Sequence, residues 1–235
     1  MQWLSICACV KFCQIKCGSI LCHPVKMSIQ SYINHVENCL SLAEQGKSKC
    51  SREILDMEGM SGLLTRAFYN NLLALEGARY LEVGAWKGSS TCSALFGNRA
   101  SVTVIDNWSE FGGPREECIT NIRKFHGEND VAVIDADSFS VDLAILPNKY
   151  NIYMYDGCHK RESHEKALTY FQDVLDDVFI FVCDDWNWGF VRDGTYDAIN
   201  KLGLVVEYQK SQFTHDNGMR DSWWNGISIF VLRKP

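Results

Sequence analysis

The segment that most constrains this chain is Tyr80-Leu-Glu-Val-Gly-Ala-Trp-Lys-Gly-Ser-Ser-Thr91, followed by Val102-Thr-Val-Ile-Asp106. An apolar strand runs into Glu82-Val83-Gly84, a short loop leads to Gly88, a helix opens at Ser89-Ser90-Thr91, and a second apolar strand ends in a carboxylate. A strand, loop, helix and strand in this order point to a parallel sheet with the loop at its carboxyl edge. The two glycines let the backbone turn tightly and pass close to a ligand. An acid about 20 residues further on can accept hydrogen bonds from two ribose hydroxyls. A dinucleotide site asks for G-x-G-x-x-G with helix amides aimed at a pyrophosphate. Here one Gly-x-x-x-Gly stands behind Glu82, a carboxylate that would repel pyrophosphate and suits a cationic nucleoside carrying an amino acid.

The rest of the chain alternates helical and strand periods. Ile29, Ile33, Val36, Leu40 and Ala43 recur at helical spacing, and a polar joint at Gln45–Ser51 ends that helix. Further helices are expected over Ser61–Leu75, Ser89–Phe96, Pro114–Phe125, Glu162–Leu175 and Val191–Leu202. Strands are expected over Arg79–Val83, Ser101–Ile105, Val131–Ile134, Asn151–Tyr155 and Val178–Cys183, which implies a parallel sheet covered on both faces. Leu204–Tyr208 and Ile227–Leu232 are joined without a helical period, so they should pair as an antiparallel hairpin at the sheet edge. The expectation is a doubly wound, Rossmann-like α/β sheet of seven strands, mostly parallel with an antiparallel end.

A chain of 235 residues, 46% hydrophobic and 22% charged, is long enough for one substantial core preceded by an extension. The net charge of -6 and the absence of a clustered basic face argue against a nucleic-acid partner. No run of 18 apolar residues suggests a membrane span. Of 11 cysteines, five lie between Cys7 and Cys22, with no Cys-x-x-Cys pair, which speaks for reduced thiols and a cytoplasmic protein. Residues 1–26 lack the features of a signal peptide. They are expected to be a disordered leader, or sequence upstream of a start at Met27, with the domain over 27–235.

Ligands in an open parallel sheet bind beyond the carboxyl ends of its strands. Those ends read Glu82/Gly84, Asp106-Asn107-Trp108, Asp135-Ala136-Asp137-Ser138, Asp156-Gly157-Cys158-His159 and Asp184-Asp185-Trp186. One aspartate there can be a helix cap or turn former. Four on one edge would raise one another's pKa and call for a partner cation.

Glu82-x-Gly84-x-x-x-Gly88 with Asp106 resembles the cofactor motif of class I S-adenosylmethionine-dependent methyltransferases, over roughly residues 55–235. The Asp-Gly-x-His segment at Asp156 and the Asp-Asp-aromatic segment at Asp184 are similar to those of a small-molecule and sugar O-methyltransferase branch, the macrocin type. The resemblance implies S-adenosylmethionine held by Glu82, Gly84, Gly88, Ser89, Asp106, Trp108, Asp137, Ser138 and Asp156. Asp137 can reach the adenine amine or cap the turn after it. The resemblance also implies Mg2+ on Asp156, Asp184 and Asp185, as in metal-dependent members. Hard carboxylate oxygens suit that ion.

Many relatives carry a second acid where this chain has Cys158, a thiol too weak to serve as a base. His159, with an ordinary pKa near 6.5, is the expected catalytic base beside Asp156, and otherwise orients an aspartate. The substitution leaves open that these groups bind substrate hydroxyls directly. Trp186, Trp188, Trp223 and Trp224 cluster near the expected acceptor loops, and Gln212–Asn225 is expected to form a substrate-covering flap.

The expected activity is O-methylation of a small hydroxylated molecule, by a protein that neither binds nucleic acid nor enters membranes; a homo-oligomer is left open. The competing expectations are a nucleotide-dependent oxidoreductase and a catalytically silent nucleoside-binding protein.

Overall fold

The computed structural model describes the backbone of residues 3–5, 11–15, 27–146 and 149–235, and the side chains of 27–146 and 149–235. Three helices lead into the domain: α1 (Ile29–Glu44), α2 (Arg52–Leu55) and α3 (Leu63–Leu72). Two short strands precede them, β1 (Trp3–Ser5) and β2 (Lys11–Ile15). The strands and helices then alternate as β3 (Arg79–Val83), α4 (Ser89–Leu95), β4 (Ser101–Asp106), α5 (Arg115–Phe125), β5 (Asp130–Asp135) and β6 (Tyr150–Tyr155). After β6 come α6 (Arg161–Phe171), β7 (Leu175–Cys183), α7 (Gly189–Leu202), β8 (Val205–Gln212) and β9 (Ile227–Arg233).

Seven of the strands form the expected sheet in the order β5-β4-β3-β6-β7-β9-β8. All neighbours from β5 to β7 are parallel, and β9 inserts antiparallel between β7 and β8. The hairpin therefore ends the sheet as expected, with its second strand inside and its first at the edge. The switch in strand direction of winding lies between β3, which leads to β4 on one side, and β6 on the other. A crevice opens at such a point because the connecting helices leave to opposite faces.

The pleat explains why these strands read as continuous apolar runs. Tyr80, Val102, Val104, Ile152, Met154, Ile180 and Val182 face α1, α3, α4 and α5, while Leu81, Val83, Ile105, Tyr153, Tyr155 and Phe181 face α6 and α7. Both faces are buried, so alternation is lost.

Two findings depart from the sequence expectations. β2 pairs antiparallel with β5, matching Phe12 to Ile134 and Ile15 to Val131, and β1 pairs with β2, so the sheet extends to nine strands. A disordered leader does not describe these two segments; the other residues of 1–26 lie outside the described residues. The second departure is at α3, which begins at Leu63 rather than Ser61 and is capped by Gly62 with no side-chain capping bond. Its first amides, Leu63 N and Leu64 N, donate instead to the carbonyls of Arg220 (2.7 Å) and Ser222 (3.2 Å) in the long β8–β9 connection. A Cβ on residue 62 would sit 2.0 Å from Ser222 O, so only glycine admits this docking. Among the described residues, no helix is long and apolar enough to cross a membrane.

Candidate functional site

A cavity of about 1160 Å3 lies beyond the carboxyl ends of β3 to β7. It is larger than the roughly 300–1,000 Å3 of ordinary small-molecule sites, large enough for a nucleoside and a second small molecule together. One end is bounded by Gly84, Ala85, Trp86, Ser89, Asp106, Trp108, Asp137 and Ser138, the other by Asp156, His159, Asp184, Asp185, Trp188, Trp224 and Asn225. Sequence-expected cofactor and acid residues thus meet in one space.

The glycine loop is built by a carboxylate. Asp106 Oδ2 accepts from the amides of Ala85 (2.7 Å) and Trp86 (2.9 Å), and Oδ1 from Trp108 N (2.7 Å). These bonds hold Trp86 and Trp108 at left-handed φ values of 47° and 48°, which L-residues rarely adopt. A carboxylate offers about four lone-pair positions. Three are used, so Asp106 has room for one ribose hydroxyl rather than two.

Gly84, at φ 89°, faces the neighbouring strand end: a Cβ there would meet Asp156 O at 1.8 Å. Its first task is to let β3 and β6 approach, and it lines the cavity as well. Gly88, at φ 83°, starts α4 and turns toward Cys118 Sγ, 3.2 Å from the position of a Cβ, and away from the cavity.

Glu82 also departs from its expected place. Its side chain is fully buried behind the loop, where Oε1 accepts from Ser90 Oγ (2.7 Å) and Thr91 Oγ1 (2.8 Å). Burial pushes its pKa up to about 7 against these hydroxyl contacts. Glu82 therefore ties β3 to the first turn of α4 and does not bound the cavity. Ser89 does, and its Oγ lies 3.1 Å from Ser61 Oγ.

Asp137 caps the 3-10 turn Ser138–Ser140, with Oδ1 accepting from Phe139 N at 3.0 Å. The cap leaves Asp137 exposed at the cavity rim, free to serve both of its expected roles. Phe139 stacks on Tyr155 at 23°. The four tryptophans divide. Trp186 packs on Tyr196 and Phe230, and Trp223 on Phe68, as core residues. Trp188 and Trp224 wall the cavity.

The strand-end aspartates do not share one cation. Asp106 is satisfied by amides, and Asp135 pairs with Arg115 at 2.8 Å. Asp156 and Asp185 share His159, whose Nε2 lies 2.6 Å from Asp185 Oδ2 and 3.9 Å from Asp156 Oδ1. Burial alone would lower the imidazole pKa, but the hydrogen bonds and charges of the two carboxylates outweigh it and push it up to about 10. His159 is thus a cation at neutral pH. The two carboxylates thus favour the protonated ring over the free base expected from the sequence.

The neighbouring carboxylates move the other way. Burial, followed by the charge of Asp185, pushes Asp156 up to about 6 despite the His159 contact. Asp184 is held well above the usual carboxylate range by burial and by Asp156 and Asp185. Its Oδ1 is buried with no partner. Asp156, His159 and Asp185 bring one ligand atom each within 4.8 Å of one another, so the group that converges differs by His159 for Asp184 from the expected acid set.

Two residues of the site carried no signal in the sequence. Arg66 is 3% exposed and donates to the carbonyls of Ile54, Leu55, Met57 and Ser61, fixing the loop that presents Met60 and Ser61 to the cavity. Asn225 donates through Nδ2 to Asp185 Oδ1 at 2.6 Å. Asn225 pairs across 40 residues, and Arg66 reaches back 5 to 12 residues into an irregular loop that has no repeating pattern.

Residues 81–186, which hold every one of these strand ends, match a family model described as a methyltransferase domain. The match covers this central part of the chain alone. Among solved structures, the domain superposes on an O-methyltransferase from Bacillus cereus in complex with SAH, with TM-score 0.53 and 12% identity over 85% of this chain and 91% of that one. An SAH-bound methyltransferase from Podospora anserina matches with TM-score 0.52 and 11% identity over 93% and 100% of the two chains. At these identities the likeness is one of fold. No curated protein matches the sequence.

Proposed function

We propose that the protein is an S-adenosylmethionine-dependent O-methyltransferase acting on a small hydroxylated acceptor. The supporting observation is one continuous cavity with a nucleoside-sized end at Gly84, Asp106 and Trp108 and an acid–imidazolium end at Asp156, His159 and Asp185. Asp106 accepts a ribose hydroxyl with its remaining lone pair, Asp137 takes the adenine amine at the rim, and Trp108 lies along the base. The acceptor hydroxyl enters between Trp188 and Trp224 and points at Asp156.

Asp156 is the group suited to accept a proton near neutrality, since its pKa is pushed up to about 6. Its oxygen takes the hydroxyl proton while the acceptor oxygen attacks the sulfonium methyl in line. The methyl–sulfur bond breaks, and its electron pair leaves neutral S-adenosylhomocysteine. The imidazolium of His159 supplies positive charge beside the developing alkoxide, which stabilises it in a site walled by aromatic rings. Alignment of the two reactants accounts for much of the acceleration in such transfers.

The residues also fit a divalent cation. The carboxylates of Asp156 and Asp185 converge with His159 between them, and Asp184 Oδ1, outside that group, is buried without a partner; hard carboxylate oxygens suit Mg2+. Asp156, Asp184 and Asp185 would hold it, and when bound it would lower the pKa of the acceptor hydroxyl.

Calorimetric titration with S-adenosylhomocysteine and with NAD tests the cofactor. Micromolar binding of the first and none of the second is expected; the reverse would support the oxidoreductase. A labelled-methyl screen of small alcohols, phenols and sugars, with and without Mg2+, tests transfer. Cofactor binding with no transfer to any of them would favour a silent nucleoside-binding protein.

A further inference from the structure

Asn225 is the only described residue that joins the β8–β9 connection to the acid–imidazolium end by a side-chain hydrogen bond to a carboxylate there. Its Nδ2 donates to Asp185 Oδ1 at 2.6 Å, and its Oδ1 accepts from Gly218 N at 2.7 Å. Its own carbonyl accepts from Asn187 N at 2.9 Å. The orientation of this amide is fixed by Gly218, because a backbone N–H can only donate and so takes Oδ1, which leaves Nδ2 to Asp185. One end of the bond is backbone-strained, Asp185 at φ 57°, and so is the residue before the other end, Trp224 at φ 62°. Non-glycine residues persist there only when their surroundings over-determine them, and such positions gather at functional sites.

We infer that Asn225 is a positioning residue that couples the Gly218 stretch of the β8–β9 connection to the orientation of Asp185. The inference rests on the proposed reaction for its purpose, and on the hydrogen bonds alone for its geometry. Asp185 presents two oxygens in opposite duties: Oδ1 to Asn225 and Oδ2 to His159 Nε2. With Oδ1 pinned, the carboxylate cannot rotate about its terminal torsion, so Oδ2 stays on His159 Nε2.

The same amide holds Gly218, while Leu63 N and Leu64 N hold Arg220 and Ser222 on the far side of the flap. The flap is thus anchored at α3 on one side and at Asp185 on the other. Loss of the Gly218 contact would loosen Asn225 and with it Asp185, and loss of the Asp185 contact would loosen Gly218, since coupling between two sites is reciprocal.

The test uses the full chain. In Asn225→Ala, hydrogen exchange at the Gly218 amide should rise roughly tenfold, the factor given by loss of an ordinary hydrogen bond. The His159 Nε2–H resonance should shift or broaden by NMR. Affinity for S-adenosylhomocysteine should stay within twofold, and kcat should fall with the cofactor KM unchanged, a split that a loosened fold would not produce.

In the reciprocal variant Asp185→Ala, exchange at Gly218 should rise as well. That measurement also decides the matter if Asn225→Ala does not fold. Parent-like exchange at Gly218 and an unmoved His159 resonance in a folded Asn225→Ala, or parent-like exchange in Asp185→Ala, would overturn the coupling. If the parent itself transfers methyl to no acceptor, the proposed function fails while the exchange and imidazole signals still decide the coupling.

Discussion

Replacing Asp106 by asparagine separates two roles for this carboxylate. If it served only the ribose, Asp106→Asn would weaken cofactor binding and leave the free protein's stability untouched. The structure instead has it holding three loop amides, those of Ala85, Trp86 and Trp108. An asparagine can turn its carbonyl oxygen to Ala85 and Trp86, which leaves Nδ2 facing Trp108 N–H, donor against donor. One charge-assisted bond is then lost, about 1.5–3 kcal/mol, and two fall to neutral strength, about 1 kcal/mol each. The sum is about 3–5 kcal/mol, and partial exposure of Asp106 favours the lower end. For a chain of this size about 3 kcal/mol corresponds to roughly 6–12 °C in melting temperature. Thermal and urea unfolding of the ligand-free variant at neutral pH measures it, alongside calorimetric titration with S-adenosylhomocysteine. A melting temperature within a degree of the parent's, with affinity reduced, would refute the loop-holding account and restore the ribose as the sole partner.

Gly84→Ala should cost more than about 3 kcal/mol or prevent folding, because its Cβ would lie 1.8 Å from Asp156 O at φ 89°; urea unfolding measures the loss. Glu82 is raised to about 7 from an ordinary value near 4.5, so its contribution is fully present below pH 4.5 and lost as pH rises through 7. Glu82→Gln should flatten that part of the stability profile between pH 4.5 and 8 and gain on the parent at the upper end. Chelation with EDTA should abolish transfer while sparing cofactor affinity if Mg2+ takes part, and full activity in EDTA would leave Asp156 and His159 as the working groups. Arg66→Leu should strip the 54–61 loop of its buried donors, which limited proteolysis should detect as new cleavage there. A chain starting at Met27 should keep its melting temperature, since residues 27–235 carry two extensive core clusters among the described side chains; a loss of several degrees would show that the pairing of β2 with β5 contributes.

The layout of the domain was legible from periodicity alone. The apolar runs ending at Val83, Asp106, Asp135, Tyr155 and Cys183 each became a parallel strand, because a run of that length buried on both faces has no stable alternative in a chain with helices between. The same reasoning placed the polar residues at the carboxyl edge, and the cavity joins them there. The antiparallel end followed from the missing helical period between Leu204 and Ile227.

Partnership was not legible, because it is set by distances through space. Nothing local distinguishes Glu82, sealed behind α4, from Asp106, which holds the loop, or either from Asp156 at the cavity. Whether His159 is a base or a cation depends on two carboxylates brought to it from β6 and β7, and their field reverses the proton affinity expected of an isolated imidazole. The glycine at 84 was expected to admit a ligand, and it first admits the neighbouring strand. Residue order and hydrophobic period determined the sheet and the edge that bears the site. Folding alone decided which charges meet there, since Coulomb and hydrogen-bond energies fall off over a few ångströms in space and take no account of separation along the chain.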